Sequence, residues 1–407
     1  ILLTMFFFAF VSLVNGISHS IRDLLDVLRI AAFWSVFLLG ASIAWRGRSN
    51  ADSVVAFLKM ILVIGCLNAV FTLAQYIFPG ATQPLQSLYA IGEYRDLRMA
   101  MIQEQARAIG FFANPNTNAV MLLLLALPSI PLFQLTSRIG YLVIGATVGG
   151  TVLLTGSRTG LILTAAVLLV YCLSAVRIKH FVLLAVAAWS GSQLLQFMVE
   201  TELAREWFPY LNELLVQVYG AVQGDLFDIS SINSFDARLA IWEEALDWYN
   251  QYPVLGAGPL REETHSFADN YYVYLLSRYG IIGCMWYAAF TLYAVGLCMR
   301  GIVARRRPMR EVASATLALL VVVNLANYTI DAFLIVPIAA LTCLFVGYLT
   351  CLMDMRPGER RSATIAHGAA LDRRHELAGR APRLRTATAT YRATSPLPVP
   401  DFPARRS

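Results

Sequence analysis

Four short stretches of this chain carry residues whose types and spacing could do chemistry. The first is Arg107-Ala-Ile-Gly110-Phe-Phe-Ala-Asn114-Pro115-Asn116-Thr-Asn118. An Asn-Pro-Asn run predicts a turn and then a helix start, because proline fixes φ and asparagine caps. Free N–H groups at a helix start suit an anion, although an ordinary capped span gives the same pattern. The second is Thr155-Gly156-Ser157-Arg158-Thr159-Gly160, where two glycines let backbone or ligand come close to an arginine. The planar fork of arginine matches a phosphate or pyrophosphate. A snorkelling arginine in a tight turn is the alternative.

The third stretch, residues 236–259, reads as an amphipathic helix with apolar Leu239, Trp242, Leu246 and Tyr249. Arg238 and Trp242 lie one turn apart, Pro253 stops the helix, and a glycine turn at Gly256 and Gly258 follows. A plain membrane-surface helix would look the same. In the fourth stretch, His265 and Asp269 are spaced to share a helix face, followed by Asn270 and by Tyr279-Gly280-Ile-Ile-Gly283. A histidine–carboxylate pair is a usable general base. A short helix is expected to end near Gly280 and run into a long apolar one.

The elements that must position these residues are membrane spans. The chain has 407 residues, 57% hydrophobic and 14% charged, with a mean hydropathy of +0.59. A charge content this far below the usual quarter excludes a soluble enzyme, a disordered protein and a coiled coil, and leaves an all-α polytopic membrane protein. Runs of about 20 apolar residues predict ten spans, near 1–15, 28–45, 54–78, 117–135, 139–155, 159–176, 180–199, 280–299, 312–330 and 333–353. The chain starts inside an apolar run with no basic segment before it, so a missing natural N-terminus is expected rather than a signal peptide.

If the spans alternate, Arg46 and Arg48, Arg138, Arg177, the Arg300–Arg310 cluster and the tail after 354 share one side, which the positive-inside rule makes cytoplasmic. The four chemical stretches then collect on the outer side. Residues 200–279 form an expected helical outer loop, and 200–264 within it hold 12 acidic residues against three arginines. Residues 1–354 are expected to be the transmembrane domain. Residues 355–407, with 11 arginines, 4 acidic residues and several prolines, are expected to be a disordered cytoplasmic tail. Such a tail could contact anionic lipid or simply fix topology.

Span interiors hold almost no ionisable residues; Arg29 and Lys59 lie near span ends. This argues against the proton-coupled transport that mid-membrane acids or histidines would serve. The six cysteines lie in or beside spans, implying neither a disulfide framework nor a metal site. Gly145 and Gly149 fit a small-residue packing face.

The four stretches, in this order, resemble the O-antigen ligase/polymerase superfamily over roughly residues 100–350. The resemblance implies a GT-C-like membrane glycosyltransferase of the bacterial inner membrane, facing the periplasm. It implies an undecaprenyl-pyrophosphate-linked glycan as donor, a saccharide or lipid A core as acceptor, and inversion without metal or other cofactor. Members carry more than ten spans, which fits a chain shortened at its N-terminus. Matched motif by motif, the resemblance gives Arg158 and Arg238 to the donor pyrophosphate, with Arg107, Asn114, Asn116, Ser157, Trp242 and Asn270 in support. Counting back from Gly280, Asn270 matches the second residue of a His-Asn pair found in many members, and Asp269 stands where the histidine would be. The base is therefore His265 or Asp269. An Asp-Asn form looks more like the polysaccharide polymerases than the ligases, and Arg278 stands where an acidic residue is common. O-antigen or exopolysaccharide polymerisation is the first expectation and O-antigen ligation the second. A transporter of lipid-linked oligosaccharide and a membrane scaffold are rivals of other classes. The bilayer and polysaccharide-assembly proteins are the expected partners, and nucleic acid is not.

Overall fold

The computed structural model describes residues 21–47, 51–89, 101–102, 107–112, 114–175, 234–258, 270–304, 307–330 and 332–354, with isolated positions at 10, 14, 193, 196, 197, 201 and 216. The described residues form helices joined by turns and loops, with no strand among them. The helices are α1 (Ile21–Arg46), α2 (Ala51–Ile77), α3 (Pro79–Tyr89), α4 (Pro115–Ala126), α5 (Ser129–Thr136), α6 (Gly140–Gly150), α7 (Arg158–Ala175), α8 (Ser234–Gln251), α9 (Tyr271–Val303), α10 (Arg307–Ala326) and α11 (Val336–Asp354). Short 3₁₀ turns cover Thr151–Thr155 and Ala332–Leu334. Residues 355–407, the predicted tail, lie outside the described residues.

Among the described residues, six helical segments are long and apolar enough to cross a membrane: Leu28–Arg46, Ala51–Ile77, Pro115–Thr136, Tyr271–Val303, Arg307–Ala326 and Val336–Asp354. Two shorter apolar helices, Gly140–Thr155 and Arg158–Val170, fall on the predicted spans 139–155 and 159–176. The predicted spans 1–15 and 180–199 lie outside the described residues apart from isolated positions. Large apolar side chains such as Leu67, Leu292 and Val303 are more than 60% exposed, as expected where lipid is the solvent.

Packing follows the small residues. In lipid, helices associate through close van der Waals contact rather than a hydrophobic driving force. The alanines of α10 (313, 315, 318 and 326) are wholly buried, and α10 packs against α9, α7 and α11. Gly40 of α1 meets the backbone of Leu344 and Tyr348 in α11, and Gly347 meets that of Phe37. The Phe33 ring packs edge-on to Phe333, just before α11, at 5.8 Å. The outset of α11 is therefore beside the N-terminal half of α1. Phe57, early in α2, stacks on Tyr348 in the second half of α11 at 4.2 Å.

Helix α9 is two helices. Gly280 sits at φ 61°, ψ −161°, outside helical geometry. The ring of Tyr287 lies 5.0 Å from that of Tyr271. A straight helix would separate these residues by about 24 Å, at 1.5 Å per residue. Residues 271–279 therefore fold back along the rest of α9. The short helix expected before Gly280 is this first segment, and the span near 280–299 is the second.

These contacts give the bundle two ends. One end gathers the last turns of α2, the loop 107–112, the starts of α4 and α7, the turn after α8, the first segment of α9 and the last turn of α10. The other end gathers Arg46, Arg138, Arg300, Arg307 and Arg310.

Candidate functional site

The loop 107–111 is a buried strap. Ala108 and Ile109 have almost no exposed surface, so their backbone polar groups need partners inside the protein. Helix α2 supplies several of the partners along the strap. Gln75 accepts through Oε1 from the N–H of Ile109 (3.1 Å) and of Gly110 (2.8 Å), and its Nε2 donates to the Gly110 carbonyl (3.0 Å). Asn68 accepts from the Phe111 N–H at 3.3 Å and donates to Asn118 Oδ1 at 2.8 Å. Asn118 donates to Thr72 Oγ1 at 3.0 Å and to the Ala108 carbonyl at 3.4 Å. Gly110 has φ 58°, and a Cβ there would lie 2.7 Å from Asn68 Oδ1 and 2.7 Å from Asn118 Cγ. Neither the strained φ nor the space admits a side chain.

Asn68, Thr72 and Gln75 are absent from the sequence-based candidates. The signal was present: 68, 72 and 75 are one face of a helix at i, i+4, i+7, polar within an otherwise apolar run.

The strap leads to Arg107, which is 7% exposed. Its Nε donates to the Thr155 carbonyl at 3.2 Å, and its Nη2 donates to Asn116 Oδ1 at 3.3 Å. The Ala108 N–H donates to the Leu154 carbonyl at 2.9 Å. The first stretch is thereby joined to the second. Asn114 caps α4, with its Oδ1 accepting from the Asn116 N–H at 2.8 Å, and Pro115 occupies the first helical position. Ser157 caps α7, with its buried Oγ accepting from the Gly160 N–H at 3.1 Å. Gly156 turns the chain at φ 61° between the 3₁₀ turn and α7. Arg158 is the first residue of α7 and is half-buried. Two capped helix starts, the Arg107 guanidinium and Arg158 at the first position of α7 thus lie close together along the chain and across the Arg107 bonds, an arrangement that favours negative charge.

The third and fourth stretches form a second assembly. Pro253–Gly258 lies against the break in α9. The carbonyls of Ser277 and Arg278 accept from the N–H groups of Ala257 (2.9 Å) and Gly258 (3.0 Å). The N–H groups of Ile281 and Ile282 donate to the carbonyls of Pro253 (2.9 Å) and Val254 (3.4 Å). In an unbroken helix these four groups of α9 would pair with one another, i to i−4. The break at Gly280 frees them, and the turn after α8 takes all four. Gly256 (φ 72°) would drive a Cβ into the backbone of Arg278 and Tyr279, and Gly280 into that of Val254. The two glycine motifs of the sequence are therefore the two halves of one backbone joint.

This joint fastens α8 to α9. Ala245 and Val273 are buried against each other, with Trp242 and Leu246 packed around them. Trp242 sits on the face the sequence predicted. Leu239, expected on the apolar face, is 40% exposed, so the packed stripe is Trp242, Ala245 and Leu246 instead. The small Ala245 admits the close approach of α9. Arg238, one turn before Trp242, is half-buried. Asn270 is the cap of α9, with Oδ1 accepting from the N–H groups of Tyr272 (3.0 Å) and Val273 (3.3 Å). The Tyr271 N–H donates to the Asn327 carbonyl at 2.8 Å, and the hydroxyls of Tyr272 and Tyr287 both donate to Asn324. These bonds tie the first segment of α9 to the end of α10. Arg278, two residues before the break, is buried. His265 and Asp269, the two candidate bases, lie outside the described residues. No group of three or more metal-ligating side chains occurs among the described residues.

Residues 141–288 match the profile of a protein family described as O-antigen ligase. This agrees with the resemblance carried by the four stretches. The match runs from α6 to just beyond the break in α9 and includes Ser157, Arg158, Arg238, Trp242, His265, Asp269 and Asn270. Arg107, Asn114 and Asn116 precede it. No curated protein matches the chain.

Proposed function

We propose that this protein transfers a glycan from an undecaprenyl-pyrophosphate-linked donor to an acceptor sugar at the outer face of a bacterial inner membrane. The observation that carries the reading is the family match over residues 141–288, which contains both donor-binding arginines and both candidate bases. The acceptor hydroxyl attacks the anomeric carbon and gives its proton to His265 or Asp269. The new glycosidic C–O bond forms as the bond to the pyrophosphate breaks, with inversion. Undecaprenyl pyrophosphate leaves with the bonding electron pair. Arg158 and Arg238 meet the charge that grows on it, which is where preorganised cations lower a barrier most. No metal is assigned a part.

The outer placement is supported by the arginines at the opposite end of the bundle, Arg46, Arg138, Arg300, Arg307 and Arg310, because basic residues favour the cytoplasmic side. Residues 355–407 are then a cytoplasmic tail. Ten or more spans, a GT-C-like architecture and polysaccharide-assembly partners belong to the same reading.

Polymerisation of O-antigen or exopolysaccharide is the first reading, supported by the Asp269-Asn270 form of the fourth stretch. Ligation of O-antigen to lipid A core is the second, supported by the description of the matched family. A deletion strain separates them. A polymerase strain accumulates undecaprenyl-linked single repeats, whereas a ligase strain retains long chains on undecaprenol and bare lipid A core. Alanine at Arg158 or Arg238 is expected to abolish polymer or ligated product at normal protein level. Normal product from both variants would sink the assignment.

A further inference from the structure

Arg107 is buried, yet its guanidinium spans two elements: Nε holds the carbonyl of Thr155 and Nη2 holds the side chain of Asn116. Thr155 lies three residues before Arg158. Between them stand only Gly156, in the left-handed region, and Ser157, the cap of α7. Two bonds lie within the turn itself: the Gly156 N–H donates to the Leu153 carbonyl at 3.1 Å, and the Ser157 N–H donates to Thr155 Oγ1 at 3.2 Å. The strap adds a second tie beside Arg107, the Ala108 N–H donating to the Leu154 carbonyl at 2.9 Å, and Thr155 and Ser157 are wholly buried.

We infer that Arg107 is a positioning residue that fixes the Thr155–Arg158 turn, and with it the direction of the Arg158 side chain, without itself holding the donor. The inference rests on the reading of Arg158 as a phosphate-holding residue. The line of support is continuous. Gln75 and Asn68 of α2 hold the strap 109–111, the strap carries Arg107, and Arg107 holds Thr155. A guanidinium is suited to this, because a flat fork of fixed donors bridges two acceptors at a set angle. A lysine at 107 offers one point of charge on a flexible stem and can hold only one of them well. The device also explains why a residue outside the matched segment 141–288 bears on its chemistry.

The test is a double-mutant cycle on the purified full chain in nanodiscs, with undecaprenyl pyrophosphate as the binding probe. The variants are Arg107→Gln, Arg158→Gln and the pair. Each single change is expected to weaken binding about tenfold, the loss of one charged hydrogen-bonding group. The pair is expected to be no weaker than Arg158→Gln alone, since a misplaced partner and an absent one are equivalent. Losses that multiply would overturn the inference, because Arg107 would then act on the probe independently. Hydrogen exchange over residues 153–160 is the second readout. Exchange should quicken in Arg107→Gln, quicken less in Asn116→Ala, and stay at the wild-type rate in Arg158→Gln. If the wild-type protein does not bind the probe, the phosphate reading fails by itself, and exchange alone decides the positioning role. Unchanged exchange in both Arg107→Gln and Asn116→Ala would overturn it. Should Arg107→Gln fail to fold, Arg107→Lys and Asn116→Ala carry the same comparison.

Discussion

Replacing Gly280 with alanine should open the joint between α8 and α9. The added Cβ would collide with the Val254 carbonyl, at 2.5 Å from its carbon, and stand 2.7 Å from the Gly256 nitrogen. These are backbone atoms and cannot swing aside. Gly280 also holds φ 61° with ψ −161°, a region that L side chains avoid at about 1–3 kcal/mol. If the turn separates to relieve the collision, four hydrogen bonds of about 1 kcal/mol each are lost. If α9 straightens instead, its freed groups pair again, but the Tyr271–Tyr287 and Tyr271–Asn327 contacts of the folded-back segment are broken. The separating route costs roughly 3–5 kcal/mol and the straightening route about 2 kcal/mol or more, which shifts the opening equilibrium by at least about 10-fold and up to about 10⁴-fold. Hydrogen exchange measured by mass spectrometry reads this directly at Ala257, Gly258, Ile281 and Ile282. Gly296→Ala in the same helix is the control, since nothing lies within 4 Å of the added atom. It should be neutral or stabilising by up to about 1 kcal/mol. Unchanged exchange at the joint in Gly280→Ala would refute the reasoning, and so would an equal effect in Gly296→Ala.

Two further substitutions test the other assembly and the cap. Gln75→Leu removes the partner of two N–H groups and one carbonyl of the buried strap, at about 1–3 kcal/mol for each group left unsatisfied; the thermal midpoint in detergent should fall by several degrees and proteolysis should reach residues 107–112, and an unchanged midpoint would contradict the strap. Asn270→Ala removes the cap of α9 at about 1 kcal/mol, whereas Asn270→Asp keeps an acceptor for Tyr272 and Val273; equal stability of the two variants would count against a capping role.

Much of the local structure was legible in the residues. The helix start at Asn114-Pro115, the turn at Gly156-Ser157, the end of α8 before Pro253 and the break at Gly280 all follow from proline, glycine and capping chemistry, which acts within a few positions along the chain. The membrane class follows as directly, because 14% charge cannot clothe a soluble surface of this size. Trp242 was placed on the correct face by its period, but Leu239 was not, because periodicity identifies a stripe without saying where the neighbouring helix ends.

The roles of the site residues were less legible. Ser157 and Asn270 stood out only as support implied by the resemblance, and the structure makes each a helix cap, as the Asn-Pro-Asn run already announced for Asn114. Gln75 and Asn68 drew no notice, since an amide in an apolar helix reads as neutral until its partner is known. That partner, the backbone of 109–111, lies more than thirty residues away, and no local rule links them. The same holds for Gly256 and Gly280. Each announces a special backbone by itself, but only the folded chain brings the four groups freed at one to the turn made by the other. The sequence by itself determined the membrane solvent, the helices and the points where they break, because those depend on neighbouring residues and on the transfer of side chains into lipid. The tertiary structure decided which broken ends meet and which arginine is buried as a strut, because buried polar groups must be satisfied wherever the fold supplies a partner, whatever the distance along the chain.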